Sequence, residues 1–366
     1  MIDAAAIVPS YQPDRRLLEC VDGLLAAGFS RIVVVDDGSD PEKRQFFDEV
    51  AAKEGCVVLH HPENRGKGAA VKTALVWTAE NLPGVAGFVT CDSDGQHRPA
   101  DCVAVAEAML NGQRGVYLGT RDFSSAATPL RSRFGNFWTS VFFWLVHGVW
   151  LRDTQTGLRA FRIGDAAFLA GVAGDRFEYE AAVLCEAARH RVPIVQVPIE
   201  TVYMDGNSSS HFCPLRDSVV ICRVVLGSFF RYAGVSLSSF LLDQGLAWAF
   251  AALATAAGCS SSGAIWASGF VARLASGAYN YFMNKAFVFG DGRPVSKSAW
   301  RYVLVCVAVI CASNAAVSLL AAVGAARGVS KLLVDTALYF ACYAVQRRWV
   351  FLRSKPSPRL RAGGGL

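Results

Sequence analysis

Cys91-Asp92-Ser93-Asp94-Gly95-Gln96-His97 follows, one residue on, the apolar run Val85-Ala86-Gly87-Phe88-Val89. A short apolar run closed by polar and glycine residues predicts a buried strand that ends at the aspartates. In an extended chain residues i and i+2 point to one side, so Asp92 and Asp94 project together from the strand's carboxyl end. Two like charges in one small volume call for a cation.

The same pattern recurs on the N-terminal side of this stretch. Ala4-Ala5-Ala6-Ile7-Val8, Ile32-Val33-Val34-Val35 and Cys56-Val57-Val58-Leu59 each precede a polar, helix-like segment. Strand and helix in alternation predict an α/β fold with a doubly wound, mostly parallel sheet. Ligands of such sheets bind beyond the carboxyl ends of the strands. Those ends carry Pro9-Ser10-Tyr11, Asp36-Asp37-Gly38-Ser39, Asn64-Arg65-Gly66-Lys67-Gly68 and the aspartate pair. Taken singly, DDGSD is equally a turn leading into a helix, with Asp40 as cap and Pro41 in the first turn. The glycines of NRGKG let backbone N–H groups approach a phosphate at a helix start, where Lys67 adds charge. Neither a Walker A spacing nor G-x-G-x-x-G is present, which counts against P-loop and dinucleotide-oxidoreductase chemistry. As a set, the strand ends suggest a nucleoside diphosphate held by a divalent metal on Asp92 and Asp94.

Composition divides the chain. Its 366 residues are 53% hydrophobic, but from Tyr232 onward apolar segments become long, loops short and acids scarce. The division predicts a sheet domain over 1–215, a juxtamembrane amphipathic helix over 216–231, four membrane spans within 232–352 and a basic tail over 353–366. The spans, about 232–256, 263–283, 302–326 and 329–350, each reach the roughly 20 residues that a bilayer crossing requires. Basic residues gather in the loop 285–301 and in the tail. The positive-inside rule then puts both termini and the sheet domain in the cytosol of a multi-pass protein of the cytoplasmic membrane. The start, MIDAAAIVPSYQP, lacks a basic n-region and a long apolar h-region and reads as a first strand.

The net charge of +6 favours an anionic lipid surface over nucleic acid, because no basic stripe with stacking aromatics marks the sheet domain. Residues 130–151 hold Phe134, Phe137, Trp138, Trp144 and Trp150, with Arg131 and Arg133 at the start and no acids. They read as an interfacial helix or as a buried core helix. Eleven cysteines lie singly, without C-x-x-C spacing, and read as small hydrophobes. Among the histidines only His97 adjoins a motif, and His60 and His61 read as surface or packing residues. A homo-oligomer is compatible with the chain, although no residue pattern specifies one.

IVPSYQP, VVVDDGSD, NRGKGAA, CDSDGQHRP, GTR (119–121), DTQTGLRAF (153–161) and VPIETVY (197–203) resemble, in order, the motifs of family 2 glycosyltransferases of the GT-A fold. Within that family they are most similar to the polyprenyl-phosphate glycosyltransferases of the dolichol-phosphate mannose synthase type. The resemblance implies a metal-dependent, inverting enzyme that moves a sugar from a nucleotide-diphosphate sugar, of the GDP-mannose or UDP-glucose class, to a membrane polyprenyl phosphate. It implies that Pro9, Tyr11 and Asp37 line the nucleoside pocket, that Lys67 approaches the diphosphate, and that Asp92, Asp94 and Gln96 hold Mg²⁺ or Mn²⁺. A lipid phosphate is already anionic and needs cations rather than a base. Arg121, Arg131 and Arg133 have the residue type for that task, and a membrane-facing edge of arginines is the plainer reading. Asp153 is either a fourth acid of the site or a turn cap. The arginine that the family often carries near 203–209 is missing, which leaves Ser208, Ser209 or His211 for the acceptor there.

The membrane half repeats itself. Residues 229–246 resemble 299–316, and NYFMNKAFVF (280–289) resembles CYAVQRRWVF (342–351). The pattern is similar to the GtrA-like four-helix family, implicated in moving polyprenyl-phosphate sugars. Asp243, Arg273, Asn314 and Asp335 interrupt its apolar segments. Arg273 and Asp335 occupy matching places, each eleven residues before the matched Asn284 and Gln346, and an Arg–Asp pair or a lipid phosphate would satisfy them. Two rival functions remain, a processive polysaccharide synthase and a lipid-sugar translocator with a nucleotide-binding domain. The first is weakened because Gln346-Arg347-Arg348-Trp349 lies behind the last span, the second because the aspartate pair is intact.

Overall fold

The computed structural model describes residues 1–122, 130–200, 214–258 and 261–351, and side chains among them except at 130–132, 214–218 and 261–265. The Arg131 side chain, Ser208, Ser209, His211 and the tail 353–366 lie outside the described residues. The chain divides into two compact units with their boundary between Val225 and Leu226.

The first unit is built on seven strands, β1 (Ala4–Ser10), β2 (Ile32–Asp36), β3 (Cys56–His60), β4 (Gly87–Thr90), β5 (Val116–Arg121), β6 (Arg159–Arg162) and β7 (Ile194–Ile199). They lie in the order β3-β2-β1-β4-β6-β5-β7. All pairings are parallel except those of β6, which runs antiparallel to both β4 and β5. The α/β class and mostly parallel sheet are as the sequence leads one to expect. The inverted β6 is an addition that its short, arginine-flanked sequence does not announce.

Strands β1, β2 and β4 are buried on both faces, which is why they read as unbroken apolar runs. The helices covering them are α1 (Arg15–Ala26), α2 (Arg44–Ala51), α3 (Lys67–Asn81), α4 (Pro99–Asn111), α5 (Leu130–His147), α6 (Ala166–Ala170) and α7 (Glu178–His190). Two apolar cores result, one with Ile7, Val33, Leu75 and Phe161 and the other with Val8, Leu24, Val34 and Met109. Register aligns the strand ends. Ser10 pairs with Asp36 and Cys91 N–H donates to the Ile7 carbonyl at 3.0 Å, so the polar ends of β1, β2 and β4 open on one crevice. Helix α5 buries Phe143 and Val146 and leaves Phe134, Phe137, Trp138 and Trp144 exposed. It is therefore one-sided, neither wholly buried nor free of the core.

Helix α8 (Pro214–Ala256) begins in the first unit and continues without a break into the second, so the expected helix over 216–231 is its N-terminal part. After it come α9 (Ser261–Met283), α10 (Val295–Ala322) and α11 (Arg327–Val345). Among the described residues three helical stretches, Val219–Ala256, Val295–Ala322 and Arg327–Val350, are long and apolar enough to cross a membrane. The repeat has a structural counterpart. Helices α9 and α11 both end in a π-helical turn, Asn284–Val288 and Gln346–Val350. Phe289 and Phe351, which follow those turns, stack with centroids 5.2 Å apart. Tyr281 lies 5.7 Å from Phe351 and its counterpart Tyr343 lies 5.8 Å from Phe289. Tyr302 lies 6.2 Å from Phe351 and its counterpart Tyr232 lies 6.3 Å from Phe289. Equal contacts around a shared stack describe two helix pairs related by a local pseudo-two-fold. Arg273 pairs with Asp243 at 3.2 Å, whereas Asp335 pairs with Lys331 and accepts from Ser313. The charges at matching places are thus satisfied within their own helix pairs.

Candidate active site

Pro9, Tyr11, Asp37, Lys67, Asp92 and Asp94 line one cavity of about 440 Å³, together with Ser10, Asn64, Ser93 and Arg176. The structure brings these six sequence-derived residues together. Gln96 is not among the lining residues, and its backbone N–H donates to Asp94 Oδ1 at 3.0 Å. The Asp37 carboxylate is buried and turned to the NRGKG loop. Its oxygens accept from Arg65 N–H at 3.0 Å and Gly66 N–H at 2.7 Å, and His61 Nδ1 lies 2.7 Å away. Gly66 has φ +102°, and a Cβ there would meet the Asp175 carbonyl oxygen at 2.4 Å. Only glycine fits this approach to the start of α3.

At the floor, Lys67 Nζ lies 2.6 Å from Asp92 Oδ1 and 2.7 Å from Glu180 Oε1. Burial works against the ammonium, but the two carboxylates outweigh it and raise its pKa above the ordinary lysine value. Burial likewise opposes ionisation of Asp92, and Lys67, with His97 Nε2 3.3 Å away, outweighs it and holds the carboxyl well below the usual carboxylate range. Asp94 goes the other way. Burial, reinforced by the Asp92 charge, raises its pKa. Among the described residues Asp94 has no ion-pair partner as close as Lys67 is to Asp92, so a bound divalent cation would relieve the unfavourable member of the pair. Among the described residues no group of three or more His, Cys, Asp and Glu is placed to hold a metal. Two carboxylates beside a phosphate-sized cavity suit Mg²⁺ or Mn²⁺, which take their remaining oxygens from phosphate and water. The residues present therefore fit the ion that the family implies.

A second cavity of about 990 Å³ is lined by Arg121, Arg133 and Arg152, by Phe134, Phe137 and Trp150, and by Asn136 and Ser140. Asp153 is fully buried and does not line it. Its carboxylate takes Arg121 Nε at 2.7 Å and Nη2 at 3.2 Å, and the Gln155 N–H at 3.0 Å. The fork fixes the guanidinium at the cavity wall. The same DTQTG segment reaches the first cavity at its other end. A Cβ at Gly157 would lie 2.7 Å from Asp92 Oδ1 and 2.8 Å from Lys67 Nζ. One five-residue loop thus props an arginine of the large cavity and packs bare backbone against the charged floor of the small one.

Sequence reasoning misses Glu180, His61, Arg152 and Gly157 as parts of these sites. His60-His61, at the carboxyl end of β3, was a signal available in the sequence, since each histidine meets one acid of DDGSD. Glu180 and Arg152 carry no local signal.

A mostly parallel α/β sheet with a carboxylate pair at its strand ends, followed by apolar helices, is the arrangement of a glycosyltransferase joined to a membrane domain. The comparisons with known proteins bear this out. Residues 5–171 match "Glycosyl transferase family 2" and residues 231–351 match "GtrA/DPMS, transmembrane domain". The chain belongs to glycosyltransferase family 2 and carries a GtrA/DPMS transmembrane domain. It is 30% identical to an uncharacterized protein of Methanocaldococcus jannaschii over 61% of this chain and 91% of that one. It is 28% identical to the UDP-N-acetylglucosamine–dolichyl-phosphate N-acetylglucosaminyltransferase of Methanococcus voltae, over 54% of this chain and 85% of that one. A dolichyl-phosphate beta-glucosyltransferase of Trichomonas vaginalis is 26% identical over 55% of this chain and 66% of its own length.

Proposed function

We propose that the chain transfers a sugar from a nucleotide-diphosphate sugar to the phosphate of a membrane polyprenyl phosphate, with inversion at the anomeric carbon. The observation that carries the reading is the large cavity, where Arg121, Arg133 and Arg152 surround an aromatic-lined space. Guanidinium groups beside aromatic walls match an acceptor with an anionic head and an apolar tail. The name of the Methanococcus voltae relative supports a UDP-sugar over GDP-mannose as donor.

In this reading the small cavity takes the nucleoside diphosphate, with Lys67 and the N–H groups at the start of α3 on the phosphates. Asp92 and Asp94, with Gln96 fixing Asp94, would hold Mg²⁺ or Mn²⁺, which when bound offsets charge on the departing diphosphate. Asp153 orients Arg121, which with Arg133 and Arg131 positions the acceptor phosphate, already an anion and so in need of no protein base. Ser208 remains a further candidate for that phosphate. In the second unit Arg293 donates to the Val350 carbonyl and Arg301 to the Trp349 carbonyl. The basic loop 285–301 and the end of α11 thus share one end of the bundle, the cytosolic end by the positive-inside rule.

The test is to incubate purified protein with polyprenyl phosphate and a panel of radiolabelled UDP- and GDP-sugars and to extract the lipid phase. Label should enter the lipid, and EDTA or Asp94→Ala should abolish its transfer while leaving the thermal transition in place. Transfer undiminished in EDTA removes the metal from the reading. Label that appears as a polymer rather than a single lipid-linked sugar favours the synthase.

A further inference from the structure

With α9 spanning the bilayer, as the sequence predicts, the four-helix unit holds charges at depths where hydrocarbon would otherwise meet them. Arg273 lies about 18 Å from the start of α9 and about 15 Å from its end. It pairs with the buried Asp243, yet 77% of its side chain is exposed on the outside of the unit. A charge at mid-span is costly unless it faces protein or water, and an arginine stem cannot bridge half a bilayer.

The other helix pair carries the opposite sign at the matching place. Asp335 precedes Gln346 by eleven residues as Arg273 precedes Asn284. Because the two π-helical turns meet at the stacked Phe289 and Phe351, both charges stand at one depth, about 16 Å from that level. Asp335 is 46% exposed in a shallow groove with Gly328, Lys331, Leu332, Thr336 and Tyr339. Its partner Lys331 is only about 6 Å from the start of α11, where a lysine stem reaches the membrane surface. Asp335, a turn deeper, has no such exit. On α9, Gly269 and Gly277 flank Arg273 by one turn on either side, and a Cβ at either, or at Gly328 in the groove, would meet nothing within 4 Å. Bare backbone on both faces admits a second helix at close range.

We propose that the α9 face around Arg273 of one copy docks in the α11 groove around Asp335 of a second, parallel copy, and that the two residues form an ion pair between copies. Equal depth makes the contact possible for copies inserted in the same sense. The two surfaces differ, so the contact is heterologous and closes into a ring where the rotation permits. This inference rests on the helical unit alone and stands or falls apart from the proposed transfer.

The experiment measures the molar mass of the full chain by light scattering in lipid nanodiscs and in mild detergent. Wild type should exceed one copy. Arg273→Glu and Asp335→Arg, each alone, place like charges at the contact and should give single copies; Arg273→Glu also faces Asp243 and should lower the thermal transition without abolishing it. Co-expressed with two different tags, the two variants complement each other at every contact and should purify together. Should either reversal unfold the chain, Arg273→Gln and Asp335→Asn serve instead, each weakening self-association about tenfold or more, the loss of roughly one charge-assisted contact. The proposal is overturned by a single-copy wild type in both media, by assembly that survives either reversal, or by folded variants that fail to purify together. The last result is what an anionic lipid headgroup over Arg273, in place of a second copy, would produce.

Discussion

A methyl group at residue 157 would fall within 2.8 Å of both Lys67 Nζ and the Asp92 carboxylate. Real Cβ atoms do not sit that close, so the ion pair or the loop has to move. Gly157→Ala should therefore lower kcat/KM for the donor about tenfold or more, roughly 1.4 kcal/mol of transition-state stabilisation, with little change in melting. A steady-state assay against nucleotide sugar decides it, and wild-type kinetics would show that the loop yields freely. The Asp153 carboxylate is spent on Arg121, which would make it a positioning residue in the proposed transfer. Asp153→Asn keeps the size and loses the charged half of the fork. It should raise KM for lipid phosphate more than KM for the donor, and equal effects on both would mark the pair as merely structural. At this scale the sequence was legible where a residue stands in a motif at a strand end, as Asp92, Asp94 and Lys67 do. Gly157 and Glu180 were not, because their part depends on which distant residue the fold lays against them. Glu180 meets Lys67 only through the docking of α7 on α3.

Helix α1 shows the same distinction among elements. Asp14 is its N-cap, accepting from Arg16 N–H at 2.9 Å. The hydrogen bond from the Arg16 side chain is the main cause that holds the Asp14 carboxyl below its ordinary value. A carboxyl depressed in the folded state stabilises above its unfolded pKa, near 4, and loses that contribution as pH falls through the folded one. Asp14→Ala should cost about 1 kcal/mol at neutral pH. The gap in melting temperature between wild type and Asp14→Asn, which keeps a cap without the charge, should close as pH drops below about 4. A gap independent of pH would assign the effect to shape alone. Strands β1, β2 and β4 were readable because parallel strands covered on both faces leave continuous apolar runs. Strand β6 escaped because four residues with an arginine at each end carry no such run. Its Arg159 is buried nonetheless, donating to the carbonyls of Thr156 and Glu180. The unbroken α8 escaped for a different reason. Its change from amphipathic to apolar composition marks a change of surroundings and not an end of the helix.

For the whole molecule, the division of labour follows the boundary between Val225 and Leu226. Every described residue that lines the two cavities precedes it, while four charges of the second unit, Asp243, Arg273, Lys331 and Asp335, each have a partner within their own helix pair. None of the latter lines either cavity. Arg273→Ala should therefore form lipid-linked sugar in detergent at a rate within about twofold of wild type, whereas Asp94→Ala should lose about a thousandfold or more if the metal supplies several kcal/mol. Detergent matters because it supplies the acceptor directly and removes any requirement for a bilayer. In vesicles the same Arg273→Ala chain should instead show its cost in stability or assembly, since an Asp243 left without its cation is an uncompensated charge at mid-span. Transfer by purified, folded variants in the two media is the measurement. A loss in detergent as complete as that of Asp94→Ala would mean that the helical unit supplies part of the active site and that the boundary in the fold is not the boundary of function.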